Sequence, residues 1–133
     1  MFQVKFCDYL RYENEKSVIN RPHGSGDWLF LIFHKPMHLE TAGKKGVTGE
    51  NACILFSPSG RHIFSGAPEF LNSYIHFNDT DGEISRFHIK YDEVFYPDNF
   101  DRIDRLVNEI KTERNAGSNM SFEMIDCLMR ELM

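Results

Sequence analysis

The chain has 133 residues, 41% of them hydrophobic and 26% charged, with a net charge of −5 and a pI near 5.6. That is one domain's worth, long enough to bury a core without metal or disulfide staples, and too apolar for a disordered chain. An acidic chain with no basic stripe lacks the surface from which duplex binders draw most of their affinity, so by itself it is a poor DNA binder.

Residues 2–12, FQVKFCDYLRY, alternate loosely between apolar and polar and are rich in aromatics, which predicts a first strand. NEKSVINRPHGSGD follows, broken by Pro22, Gly24 and Gly26, and reads as loop or a short edge strand. DWLFLIFH is an unbroken apolar and aromatic run ending at His34, too short for an isolated helix and suited to a strand buried on both faces. Gly43, Gly46 and Gly49 then mark tight turns around short strands. NACILFSP, RHIFSG and EFLNSYIHF supply further strands. Short strands separated by regular turn signals indicate a β-sandwich or barrel.

The period then changes. From Asp98, a candidate N-cap after Pro97, the residues Phe100, Ile103, Leu106, Val107 and Ile110 recur at helical spacing over 98–113. After NAGSN, a second amphipathic helix is predicted through Phe122, Ile125, Leu128, Met129 and Leu132. The expected layout is mainly β: a barrel over residues 1–97 followed by two C-terminal helices over 98–133. The chain reaches Met133 inside a helical pattern with no Gly, Asn or Pro to cap it, so a further domain is expected beyond it.

Three widely spaced cysteines without a CxxC pair suit a reducing, cytoplasmic compartment. No leader-like segment opens the chain and no apolar run approaches membrane-spanning length.

Six histidines raise the question of a metal. The jelly-roll metalloenzymes of the cupin class carry an HxH pair with a following Glu, then a second His after a PxG turn. Here His34 and His38 are four apart, separated by Lys35 and Pro36 and trailed by Glu40, a spacing that does not aim two imidazoles at one point. Only Pro58, Gly60 and His62 survive of the second motif. The expectation is no metal, no cofactor and no catalysis; the rival is a small cupin isomerase or dioxygenase using His62 with His34, His38 or His76. There is no GxSxG elbow, P-loop or GxGxxG. The acidic DTDGE at 79–83 lacks the remaining ligands of a calcium loop and reads as a surface turn.

FLNSYIHF is more informative. Period two puts Phe70, Asn72, Tyr74 and His76 on one face and Leu71, Ser73, Ile75 and Phe77 on the other. The second face is apolar enough to pack against another layer, while the first mixes rings with hydrogen-bonding tips, as a small-molecule pocket does. Arg21, in the loop feeding the barrel, is a candidate contact to an acidic or hydroxyl-rich ligand.

In order, RPHGSGDWLFLIF, the Gly49-Glu50 turn before ILFSPSGRHIF, EFLNSYIHF and the two helices resemble the N-terminal sensing domain of AraC-type transcription regulators, over nearly the whole chain. The resemblance implies a metal-free, cupin-like jelly-roll barrel that holds a small-molecule effector, often under an N-terminal arm. It also implies a homodimer formed through the helices, and a separate DNA-reading domain with two helix-turn-helix motifs, which these residues do not include. By motif position it puts ligand contacts on Arg21, Phe64, Asn72 and Tyr74, with His62 and His76 as further candidates. Phe64 stands where the family's sugar sensor has a hydroxyl-bearing ring, which counts against a sugar and leaves ring stacking. The stripe Phe100, Ile103, Leu106, Val107 and Ile110 is the candidate dimer surface. A third reading is a dimerisation module whose barrel binds nothing.

Overall fold

The computed structural model describes residues 1–87, 89–116 and 121–133, of which 121–124 by backbone alone. Among the described residues, nine strands form two antiparallel sheets, and two helices follow. The strands are β1 (Phe2–Tyr12), β2 (Val18–Arg21), β3 (Trp28–Phe33), β4 (Met37–Thr41), β5 (Lys45–Val47), β6 (Ala52–Phe56), β7 (His62–Gly66), β8 (Leu71–Asp79) and β9 (Val94–Phe95). The helices are α1 (Phe100–Ala116) and α2 (Ser121–Leu132). One sheet runs β1-β8-β3-β6-β9 and the other β2-β7-β4-β5, so the chain passes repeatedly from sheet to sheet.

The larger sheet is buried on both faces, which explains the unbroken apolar run at its centre. Along β3, Leu29, Leu31 and Phe33 point between the sheets, where they meet Met37, Ile54, Phe56, Phe64 and Phe70. The alternate residues Phe30 and Ile32 point the other way, with Cys53, Leu55, Ile75 and Phe77, onto Ile103, Val107, Ile110, Ile125 and Met129 of the helices. The division of β8 into two faces is therefore the one that period two predicts.

The helical stripe is covered within the single chain. Ile103, Leu106, Val107 and Ile110 are all buried, Ile103, Val107 and Ile110 in the core shared with the larger sheet, and Phe100 packs half-buried against it. This corrects the expectation of a dimer surface on these five side chains: a helix laid on a sheet buries its apolar stripe there first. Helix α1 begins two residues after Asp98, and the Asn99 carbonyl accepts from Arg102 and Ile103 N–H. In α2, Ile125 and Met129 are buried and Leu128 and Leu132 pack beside them, while the side chain of Phe122 lies outside the described residues.

Strand β9 and the 3₁₀ turn Ile84–Phe87 carry no clear signal in the sequence. Within DTDGE, the Asp79 carboxylate accepts from Glu83 and Ile84 N–H (2.9 Å each) and so opens the 3₁₀ turn, while Asp81 pairs with the terminal amine. Among the described residues no helix is long and apolar enough to cross a membrane. The three cysteines are unpaired; burial pushes the Cys53 thiol up to about 12.

Candidate ligand site

Between the sheets lies a cavity of about 130 Å³. The larger sheet contributes Phe6 from β1, Leu29 and Leu31 from β3, and Asn72, Tyr74 and His76 from β8. The smaller sheet contributes Ile19 and Arg21 from β2 and Phe64 from β7, while Glu13 and Phe70 complete the wall. Five of the six candidate ligand residues, Arg21, Phe64, Asn72, Tyr74 and His76, thus line one cavity from three strands. The sixth, His62, does not.

His62 stands behind Arg21. The two are register partners on β7 and β2, and Arg21 Nη1 lies 3.3 Å from His62 Nε2. A guanidinium only donates, so Nε2 must accept. The proton then sits on Nδ1, which donates to the Gly60 carbonyl at 3.0 Å. The ring is fully buried, stacked on Phe56 at 4.2 Å and flanked by Phe64 at 5.8 Å. Burial holds its pKa down at about 4, with Arg21 acting in the same direction, so the imidazole is neutral at physiological pH. His62 thus both ties down the Pro58-Ser59-Gly60 turn and steadies the guanidinium.

That turn is itself fixed by its neighbours. Gly26 N–H donates to the Pro58 carbonyl at 2.9 Å. Gly24, at φ +80°, lies so close to the same carbonyl that a Cβ would collide with it. Asp92 accepts from Ser57 N–H at 2.9 Å and Ser57 Oγ at 2.7 Å. The RPHGSG loop and the PSGRH turn are therefore one packed unit, in which Gly24 is needed for the contact between backbones and Gly60 for room beside the Asp92 and Ser57 side chains.

The opposite wall carries a second oriented imidazole. Asp27, buried just before β3, accepts from Ser25 Oγ at 2.6 Å and from His76 Nδ1 at 2.9 Å, and pairs with Lys5 at 3.2 Å. Burial alone would raise its pKa; the hydrogen bonds from Ser25 and His76 outweigh that and hold it below the usual carboxylate range. Burial depresses the His76 pKa in spite of Asp27. With Nδ1–H donating to Asp27, His76 keeps Nε2 as an acceptor, and Phe6 stacks on the ring at 4.1 Å. Tyr74 has its pKa raised, chiefly by burial, so its hydroxyl stays protonated. Chemically, the cavity offers a cation, an amide, a hydroxyl and an imidazole acceptor set among aromatic and aliphatic walls.

Asp27, Lys5, Phe6, Glu13 and the leucines of β3 were not among the candidates in the sequence. For Phe6 a signal existed in the aromatic-rich β1, but its direction depends on a register shift between Val4 and Phe6 that alternation does not reveal. For Asp27 there was none, since a loop Asp before a strand is ordinarily exposed.

The histidines of the cupin motif serve separate tasks. His34 shares a 2.7 Å hydrogen bond with Ser73 Oγ and lies edge-on to Phe100 of the helical layer. His38 is exposed on β4, and His62 and His76 are engaged as described. Among the described residues no group of three or more His, Cys, Asp or Glu side chains is arranged to hold a metal ion. Comparison with protein-family models and with curated proteins finds no match to this chain.

Proposed function

We propose that this chain is the effector-sensing and dimerisation domain of an AraC-type transcription regulator, a cytoplasmic protein built on a cupin-like jelly roll. The observation that carries the reading is the convergence on one cavity of Arg21, Phe64, Asn72 and Tyr74, the four residues to which the resemblance assigns ligand contact. The passage of strands from sheet to sheet agrees with a jelly-roll path. Binding is the reading the cavity supports: the His76 imidazole that lines it is tied to Asp27, and the His62 imidazole behind Arg21 is tied to Gly60 and to the guanidinium.

In this reading the effector acts by differential binding. Phe6 of the N-terminal strand forms part of the cavity wall, so occupancy biases how that strand and the helices resting on it are held. A second copy pairs with the first in an isologous dimer, on surface other than the buried stripe of α1. A DNA-reading domain outside these residues receives the signal.

A thermal-shift screen of sugars, organic acids and other small metabolites tests the proposal. The expected result is a saturable rise in melting temperature for at least one class, reduced by Tyr74→Ala. A flat response across the panel would return the barrel to a ligand-free dimerisation module.

A further inference from the structure

The charges around the cavity do not balance, and the remainder identifies the ligand's chemistry. Glu13, the one acidic residue in the lining, is paired with Arg11 at 2.8 Å. Asp27 behind the wall is answered by Lys5 and hydrogen-bonded by His76 and Ser25. Arg21 is left over. Among the described residues its guanidinium forms no ion pair, and its hydrogen-bond partner is the neutral imidazole of His62. Asp27 acts on the guanidinium only from beyond ion-pair distance, and a half-buried cation with no direct ion-pair partner gains when an anion docks on it.

Asn72 adds an independent observation. It is 3% exposed and lines the same cavity, yet its side-chain amide takes part in no hydrogen bond with another described residue. An amide that lines a cavity without a protein partner is free to pair with a polar group placed there. Leu29, Leu31 and Phe64 supply apolar wall beside these polar groups. The volume, about 130 Å³, is close to that of a cavity of roughly 150 Å³ that accommodates benzene.

Building on the sensing reading above, we infer that the effector is a small organic carboxylate no larger than a substituted benzene ring, its carboxylate held by the Arg21 guanidinium and the Asn72 amide and its body packed on Phe64 and the leucines of β3. The planar fork of the arginine suits both oxygens of the carboxylate. His62, accepting from the same guanidinium, keeps the fork from rotating away. His76, which lines the same cavity and keeps Nε2 as an acceptor, favours a ligand that also carries a hydroxyl.

The test is isothermal titration of the full chain with benzoate, 4-hydroxybenzoate and lactate, beside the uncharged benzamide, benzyl alcohol and a neutral sugar. The expected result is saturable binding of at least one carboxylate with none by its uncharged analogue. Arg21→Gln should weaken that affinity roughly ten- to a hundredfold, as loss of a charge-assisted hydrogen bond does, and Arg21→Lys should weaken it less. Asn72→Ala should also weaken it, which keeps the inference open to test if Arg21→Gln fails to give a native near-ultraviolet dichroism spectrum. Uncharged compounds binding as tightly as carboxylates, or carboxylate affinity unmoved in both variants, would overturn the carboxylate and leave the sensing reading standing. Heat from neither set, with the broader metabolite screen also flat, would overturn both.

Discussion

His62 carries a consequence that can be measured without any ligand. Its neutral form is built into the fold, buried and donating to Gly60, with Arg21, His76 and Asp92 as the charged or titratable groups that influence it. The folded pKa is about 4 against 6.5 for a free imidazole. Between those values the unfolded chain takes up a proton that the folded chain refuses, so stability rises with pH across that window and is fully present above it. The slope from one such group is at most about 1.4 kcal/mol per pH unit. His62→Gln should flatten the pH dependence of the urea-unfolding free energy between about pH 4 and 6.5 while leaving part of it, because the pKa values of His34 and His76 are also depressed. Equal slopes in variant and wild type would show that the imidazole titrates in the fold. At this scale the site was partly legible. Period two in EFLNSYIHF places Asn72, Tyr74 and His76 together because β8 is regular through them. His62 obeys the same alternation, but a β7 residue can face the interior and still be walled off from the cavity by the arginine beside it. Depth is set by neighbours on another strand, and spacing along one strand does not report it.

Among the elements, α1 shows how a stripe can be read correctly while its partner is misassigned. Helical spacing identifies which residues are apolar, and nothing in it says what they meet. Here the outer face of the larger sheet needs cover for Phe30, Ile32, Leu55, Ile75 and Phe77, and the nearest apolar stripe along the chain supplies it. Ile110→Ala should therefore cost about 2–5 kcal/mol, the usual range for a buried aliphatic truncation, read as a lower urea midpoint. Because the contact is within one chain, the loss should be the same at every protein concentration. A loss that grows on dilution would put the residue at an interface between copies. β1 shows the opposite difficulty. Its loose alternation is the trace of two irregularities, between Val4 and Phe6 and between Asp8 and Arg11, the second containing Leu10 at φ 51°. Each shift turns the following side chains over, which lets one strand send Phe2 and Val4 to the helices and Phe6 to the cavity.

At the scale of the molecule, the division into a barrel of residues 1–97 and a helical segment of 98–133 describes sequence texture better than it describes folding units. One of the two apolar cores is shared across that boundary: Phe2, Phe30, Ile32, Cys53, Leu55, Ile75 and Phe77 on the strand side close against Ile103, Val107, Ile110, Ile125 and Met129. Removing residues 98–133 would leave a sheet face of large apolar side chains open to water, a patch of the kind that drives association. The cavity would suffer too, since Phe6 lies on β1, and β1 is held from one side by β8 and from the other by the helices, with Tyr9 donating to Asp104 of α1 at 2.8 Å. A fragment of residues 1–97 is thus expected to bind a hydrophobic dye, lose the sharp near-ultraviolet dichroism of packed aromatics and melt without cooperativity, while the full chain unfolds in a single transition. Dispersed amide resonances and a cooperative melt in the fragment would mean that the sandwich is self-sufficient and the helices an accessory. The shared core also bears on how occupancy of the cavity is felt elsewhere. Leu29 and Leu31 line the cavity while Phe30 and Ile32, between and beyond them on the same strand, press on the helices, so a shift of β3 by a ligand cannot leave the helical layer untouched.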